Sequence, residues 1–576
     1  MWSLSAVVLA LGVTSGLVRA ASPTPTVNKA SFVSAHSNGF RVNGSDFRFV
    51  GTNAYWLQAL NTDEDIDNVL AGIAAANISV VRTWAFNDVP EIPENGTWLQ
   101  HIAPNGTLTL NEDETTGLPK LDRILTMAQN HGIYILPVLT NNYNPLPGDN
   151  ITSATGPLRR DVATNNSLPR NYLSNDYGGM DAYVRAFNAT SHDAFFTDER
   201  IVAAFESYTT NIVTRYVNHS NVLAWELGND VRCNSSIAAT PSCNTNTITL
   251  WHDRISRLIQ SIDQNHLVSS GTQGFFCADC EKLFQNPAAI TPPAQPSSAP
   301  GARKRFKPLT NKRVLEERKQ ARKKTRAAKL QSAPASSSAG GVRVRGRWMS
   351  TPTRRQEEVV DQGVGFAFDG SSGVDSEDIL SIPQIGFSSF QLFPDQNQYA
   401  PDDPNLPAFN NTLQAGLDWI RRHGEAAAMF GKPIILGGFG LVTQDNAPFF
   451  VPFNTTIAPF ANDQIGNLSL TDGFTPYGVT DAQRDDAYTQ WLQQGIVSGL
   501  AGIIQYQWAA SNLTAVNGSA IVNSITQNGV VDENGQQTVM NENGISPSDG
   551  YSIAGQGQVA VQDALTVAAQ SFAPDL

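Results

Sequence analysis

The chain has 576 residues, 41% hydrophobic and 16% charged, a globular balance that excludes disordered and collagen-like polymers. Its net charge is −13, yet residues 301–360 hold 18 Lys and Arg against 4 Asp and Glu, leaving 21 against 48 elsewhere. So acidic a body excludes a nucleic-acid-binding domain and strong docking to anionic membranes.

The chain opens on Met1–Ala20, which reads as a secretory signal: Ser5–Val18 is apolar, and Val18-Arg19-Ala20 puts small residues at the cutting positions. An N-terminal membrane anchor is the competing reading, because no Lys or Arg stands near the start. Beyond it, no apolar run reaches the roughly 20 residues of a membrane span. Fourteen Asn-x-Ser/Thr sequons fit export: Asn43, Asn77, Asn95, Asn105, Asn150, Asn165, Asn188, Asn218, Asn234, Asn410, Asn454, Asn467, Asn512 and Asn517. An extracellular, secreted glycoprotein is expected, and a monomer.

From residue 49 the pattern alternates. Strands are predicted at Phe49–Leu57, Ser79–Phe86, Tyr134–Asn141, Val222–Asp230, His266–Phe276, Gly386–Asp395, Lys432–Gly440 and Gly502–Trp508, each short and apolar as buried parallel strands are. Helices are predicted between them at Asp63–Asn77, Leu118–His131, Asp198–Asn218, Thr247–Asn265, Thr412–Phe430 and Asp485–Leu500. Asp198 and Thr247 are read as helix starts, Gly132 and Gly431 as stops. Eight strands with interleaved helices is the count of an α/β (β/α)8 TIM barrel. A doubly wound sheet is the alternative, weakened because no glycine-rich nucleotide loop follows the first strand.

Four cysteines, Cys233, Cys243, Cys277 and Cys280, suggest two disulfides in an exported chain, local pairing being the simplest of three connectivities. The gap between Cys233 and Cys243 does not fit common zinc spacings; no metal or cofactor is expected.

One segment, 292–362, breaks the alternation and divides the barrel into a first part, 21–291, and a second, 363–576. It opens with Pro and Ser, runs basic from Arg303 to Lys329, and turns Ser/Gly-rich before Arg343-Val-Arg-Gly-Arg347. This is the composition of a low-complexity surface insertion, or of non-coding sequence retained in the gene, with a solvated helix over Lys312–Lys329. A basic arm for acidic polysaccharide or another anion is the functional alternative.

In such barrels the chemistry sits at the C-terminal ends of the strands. Val81-Arg-Thr-Trp-Ala-Phe-Asn87, Asn175-Asp-Tyr-Gly-Gly-Met-Asp-Ala-Tyr-Val184, His192-Asp-Ala-Phe-Phe-Thr-Asp198 and Ala224-Trp-Glu-Leu-Gly-Asn-Asp230 together resemble the secreted β-mannanases of glycoside hydrolase family 5. The likeness runs from about Ala30 to Asn286 and resumes from Gly363 to Ala569. It implies a (β/α)8 barrel acting on a β-1,4-mannan-type polysaccharide with retention, by two carboxylates about 5–5.5 Å apart.

Both of those positions are altered. The family's acid/base glutamate follows an Asn at the end of the fourth strand; here the pair is Asn229-Asp230, one methylene shorter. A misplacement of about 1 Å can cost roughly a hundredfold in rate; Asp230 could equally bind a hydroxyl or cap a loop. The family's nucleophile precedes Phe/Tyr-Gly on the seventh strand, and Gly438 stands there, with no side chain to form a covalent intermediate. On the sixth strand Gln391 and Phe393 replace the family's His and Tyr, so no tyrosine hydroxyl is left facing a missing glutamate.

What remains matches sugar binding. By resemblance Arg82 lies beside the nucleophile position, Trp84 shares its face and Asn229 meets a sugar 2-hydroxyl, while Trp508 lies near an aromatic platform. Barrel-mouth packing is the other reading of the two tryptophans, and Arg82 could pair with a remaining carboxylate. Asp395 and Asp445 are the stand-in carboxylates to inspect, for an inverting reaction at about 6.5–9.5 Å from Asp230. Glu226, four residues deeper than Asp230, reads as a core residue. A hydrolase with an altered mechanism and a catalytically inactive glycan-binding barrel, a pseudoenzyme, are therefore both expected outcomes.

Overall fold

The computed structural model describes residues 31–146, 168–284, 309–331, 341–344, 347–350, 363–456, 478–516, 518–523, 544–552 and 556–572. The expected signal, the Pro/Ser-rich start of the insertion, and Asn150, Asn165, Asn467 and Asn517 lie outside them.

Eight parallel strands form the centre: β1 (Phe49–Asn53), β2 (Val80–Trp84), β3 (Tyr134–Val138), β4 (Ala224–Glu226), β5 (Leu267–Ser269), β6 (Ser388–Leu392), β7 (Ile434–Phe439) and β8 (Gly502–Gln505). They pair in the order β5-β4-β3-β2-β1-β8-β7-β6, and a parallel bridge from Ser269 to Phe387 joins the two ends. The sheet is therefore a closed (β/α)8 barrel. Each strand falls within a predicted run and stops short of its predicted end, because the residues beyond leave the ladder to build the mouth. Nearly every strand residue is buried on both faces, which is why the sequence shows continuous apolar runs.

The helices include α1 (Asp63–Ala75), α2 (Leu118–Asn130), α3 (Glu199–Tyr216), α4 (Thr245–Ile262), α5 (Asn311–Gln331), α6 (Ser376–Ser381), α7 (Ala408–Phe430), α8 (Asp481–Ser498) and α9 (Gln556–Phe572), besides two short ones at Met180–Ala186 and Ala194–Thr197. Their ends follow capping chemistry. Thr62 and Asp198 accept backbone N–H bonds at the starts of α1 and α3. Thr247 is not the start of α4: Asn244 is the cap, and Thr247 closes a capping box with it. Thr480 and Gln483 make the same box at α8, which starts at Asp481, four residues before its predicted start. Gly431 ends α7 at φ 62°, a left-handed position open to glycine.

The N-terminal end of the barrel is sealed. A three-stranded meander over residues 34–47 places Phe40 against Phe49 and Phe387, with ring centroids 6.1 and 5.1 Å apart. Among the described residues, the barrel's interior side chains are thus open to solutes at the opposite mouth.

Both disulfides form in the local pairing, Cys233–Cys243 and Cys277–Cys280. The basic segment is not wholly solvated. Val314 of α5 is fully buried, and Arg313 reaches Glu425 of α7 at 2.8 Å. The expectation of a helix solvated all round fails because α5 buries Val314 and carries a set of charges matched to α7. Among the described residues no helix is long and apolar enough to cross a membrane.

Candidate functional site at the barrel mouth

The floor of the mouth is a chain of buried polar side chains handed from strand to strand. Arg82, ending β2, donates from Nε to Glu226 Oε1 at 2.9 Å, and its Nη2 also bonds Glu226. The same Nη2 donates to Asn229 Oδ1 at 2.9 Å. That oxygen also accepts from Gln391 Nε2 at 2.9 Å, and Gln391 Oε1 accepts from Gln273 Nε2 at 2.9 Å. Asn229 Nδ2 donates to Asn141 Oδ1 at 2.8 Å. Side chains from β2, β6 and the segment after β3 thus converge on Asn229. Glu226 is fully buried and its carboxyl is pushed up by burial, with Arg82 opposing.

Asp230 follows Asn229 with φ 58°, a left-handed conformation more tolerable for Asp than for most residues. Its side chain is buried and bonded by Arg232: Nε reaches Oδ1 at 2.9 Å, and Nη2 reaches Oδ1 at 2.6 Å and Oδ2 at 2.7 Å. Burial pushes the Asp230 carboxyl up, and Arg232 draws it back. Arg232 is itself boxed by Phe275 and Tyr143, its Cζ 5.1 and 5.8 Å from their centroids.

On the far side of the barrel, Gly438 is the register partner of Gln391. A Cβ there would come within 3.3 Å of Phe393 Cζ. The Phe393 ring packs against Phe453, Tyr551 and Tyr506 at 5.2, 5.3 and 5.4 Å. The space beside Gly438 is thus lined by carbon. Tyr506, beyond the end of β8, stacks on Tyr55 at 6.2 Å and donates its hydroxyl to Asp549 Oδ2 at 2.7 Å, which Ser174 Oγ also reaches at 2.7 Å. Asp549 is buried, which pushes its carboxyl up to about 6.

The remaining candidates are dispersed. Trp84 is 1% exposed and donates its indole N–H to the Ser174 carbonyl at 2.9 Å, with Arg82 over its face at 5.1 Å. The Trp508 ring lies over Gly72 of α1, on the helix side of the barrel. Asp395 Oδ2 accepts the Val442 N–H at 3.0 Å, in the loop after β7, and Asp445 is exposed on the same loop. Sequence reading passed over Arg232, Gln273, Asn141, Tyr506 and Asp549. Of these, Asn141, Gln273 and Tyr506 carried a signal, lying in the last few residues of predicted strands.

A closed barrel with a polar network at its mouth is a (β/α)8 architecture, whose site lies at the C-terminal ends of the strands and which hosts many chemistries. A family model described as GH family 5 beta-mannosidase-like matches residues 30–289. The probable mannan endo-1,4-beta-mannosidase A of Aspergillus oryzae is 30% identical over 471 residues, covering 80% of this chain and 87% of that protein. Mannan endo-1,4-beta-mannosidase F of Aspergillus fumigatus is 33% identical over 254 residues, 44% of this chain and 49% of that one. Several relatives are thus matched over only about half of their length. The endo-1,4-beta-mannanase structure from Rhizomucor miehei superposes with a TM-score of 0.55 at 21% identity, covering 94% of this chain and 99% of that one, a likeness of fold. The chain belongs to the β-mannosidase-like proteins of glycoside hydrolase family 5.

Proposed function

We propose that this protein is an extracellular member of the family that binds a β-1,4-mannan-type polysaccharide at the barrel mouth without cutting it by double displacement. The observation that carries the reading is Gly438. At the position where the resemblance expects the attacking carboxylate, this chain offers a backbone hydrogen facing the Phe393 ring. A retaining reaction needs an oxygen nucleophile within reach of the anomeric carbon.

Two further features support it. Asp230 stands where the resemblance expects the proton donor, yet both its oxygens are taken up by the Arg232 guanidinium, which opposes the upward push of burial and occupies the atoms that would meet a leaving oxygen. Asp395, the nearest stand-in by strand parity, accepts from a backbone N–H of the neighbouring loop. Arg82 and Asn229, which the resemblance expects, together with Gln391 in place of the family's His, present amide and guanidinium groups of the kind that meet sugar hydroxyls.

Export is supported by the two disulfides. Of the ten sequon asparagines in the described segments, nine are exposed and Asn454 is half-buried.

The test uses the full chain with linear mannan, read by affinity electrophoresis for binding and by reducing ends for cleavage. Binding without reducing ends above the blank is expected. Cleavage that disappears in Asp230→Asn overturns the reading and restores a working acid at that position.

A further inference from the structure

Helix α5 has two unlike faces. Its inner face is docked: Val314 is buried, Arg313 pairs with Glu425 at 2.8 Å, Glu317 with Arg422 at 3.0 Å, and Arg318 lies over the Phe368 ring at 5.4 Å. Its outer face carries Lys312, Lys319, Lys323 and Arg326, all exposed. Steps of seven, four and three residues put these cations in one row along the helix, spanning about 21 Å at 1.5 Å per residue, with the exposed Glu316 between the first two and three cations consecutive beyond it. Among the described residues none of the four has an acidic side chain within ion-pair range. Like charges three and four residues apart destabilise a helix, so the row is a feature that an external anion would stabilise.

We propose that the outer face of α5 is a docking surface for an acidic polysaccharide, one bearing uronate or phosphate-ester groups. A linear row of four cations on a rigid, docked helix complements a linear polyanion of repeating charge. A second copy of this chain fits less well, because many acids on the barrel already hold their own arginines. Arg215 pairs with Glu112 and Asp122, Arg254 with Glu199 and Glu206, and Arg484 with Asp481 and Asp485. Each copy also carries a net charge of −13, so two copies repel at long range. The helix docks on α7, one of the helices packed around the barrel. A barrel that meets neutral polysaccharide and a helix that meets an acidic one would engage a mixed matrix at two points, and two weak contacts on one particle raise retention well above either alone.

The experiment compares the full chain with the quadruple variant Lys312→Gln/Lys319→Gln/Lys323→Gln/Arg326→Gln, whose replacements are good helix formers. Both are passed over immobilised polygalacturonate, phosphorylated mannan, neutral linear mannan and duplex DNA, at 20 mM and 300 mM NaCl. The unmodified chain is expected to be held by one or both acidic polysaccharides at low salt and released at high salt. The two matrices separate uronate from phosphate recognition. The variant should lose at least tenfold in retention there, with its behaviour on neutral mannan and its melting temperature unchanged. Equal retention of the variant overturns the proposal. So does stronger retention on DNA than on either acidic polysaccharide, or a salt-sensitive dimer in sedimentation that the variant abolishes.

Discussion

Arg232 holds both carboxylate oxygens of Asp230, with Nη2 2.6 Å from Oδ1 and 2.7 Å from Oδ2. The two residues are only two apart, and the pairing is possible because Asp230 sits at φ 58° and turns its side chain back over the following residues. The clamp neutralises a buried charge at the place where the resemblance expects a proton donor.

Breaking the clamp from one side should cost more than removing it. Arg232→Met leaves a buried carboxylate without its partner, a loss of about 3–5 kcal/mol for such pairs. Adding Asp230→Asn should recover much of that loss, because a neutral amide replaces the stranded charge. Urea unfolding at pH 7 of both variants checks this. A single variant within about 1 kcal/mol of the unmodified chain would show that the pair contributes little.

Asp549 supplies a pH test with a definite sign. Its folded pKa of about 6 lies above the ordinary 3.8, because burial disfavours the charge. The folded state therefore binds its proton more tightly than the unfolded state does. This group's contribution rises as pH falls from about 7 to 4 and is lost as pH climbs through 6. At pH 7 the ionised form costs roughly 3 kcal/mol, at about 1.4 kcal/mol per pK unit. His252 and His423, both pushed down by burial, act oppositely below pH 6.5, so the measurement is a difference. Stability of the unmodified chain minus that of Asp549→Asn should rise between pH 7.5 and 4.5. A flat difference would mean that Tyr506 and Ser174 stabilise the charged form as well as the neutral one.

The barrel was legible because each strand is a short apolar run between helix caps, and period and length alone find such runs. Helix α9 was not. Gln556–Phe572 carries a single charge, Asp563, and its Ala, Val and Gln residues give a weak polar face. The altered site was legible only through resemblance: Gly438 and Phe393 are informative when a carboxylate and a hydroxyl are expected there. Its present wiring was not legible. Gln273 and Gln391 meet across 118 residues, and Tyr506 and Asp549 across 43. The Arg232 clamp hangs on one backbone dihedral that no spacing rule reveals. The docking of α5 was hidden by composition, since a single Val314 among so many cations leaves almost no apolar stripe.

That single valine gives a sharp test of whether α5 is part of the fold. Val314→Asp places a charge where the side chain has no solvent access. Tryptic cleavage within 311–331 under native conditions should quicken at least fivefold, while Leu315→Ala, at a site 37% exposed, should leave it unchanged. Equal cleavage of the two variants would mean that the helix is not held through this face.

The missing nucleophile can be put back. Gly438 is not at positive φ, and a Cβ there meets only the Phe393 ring, at 3.3 and 3.5 Å. Gly438→Glu alone should fold with lower stability and release no sugar, because its carboxylate would be buried against carbon. Phe393→Tyr adds a hydroxyl at the ring carbon facing that site, a partner for the new carboxylate, and Asp230→Glu restores the missing methylene. The triple variant should release reducing ends from linear mannan at least tenfold above the blank, with Gly438→Glu and Asp230→Glu each remaining at the blank. If the triple variant binds mannan yet stays silent, the lost glutamate is not what separates this chain from turnover, and attention passes to Arg232, which would still face the restored acid.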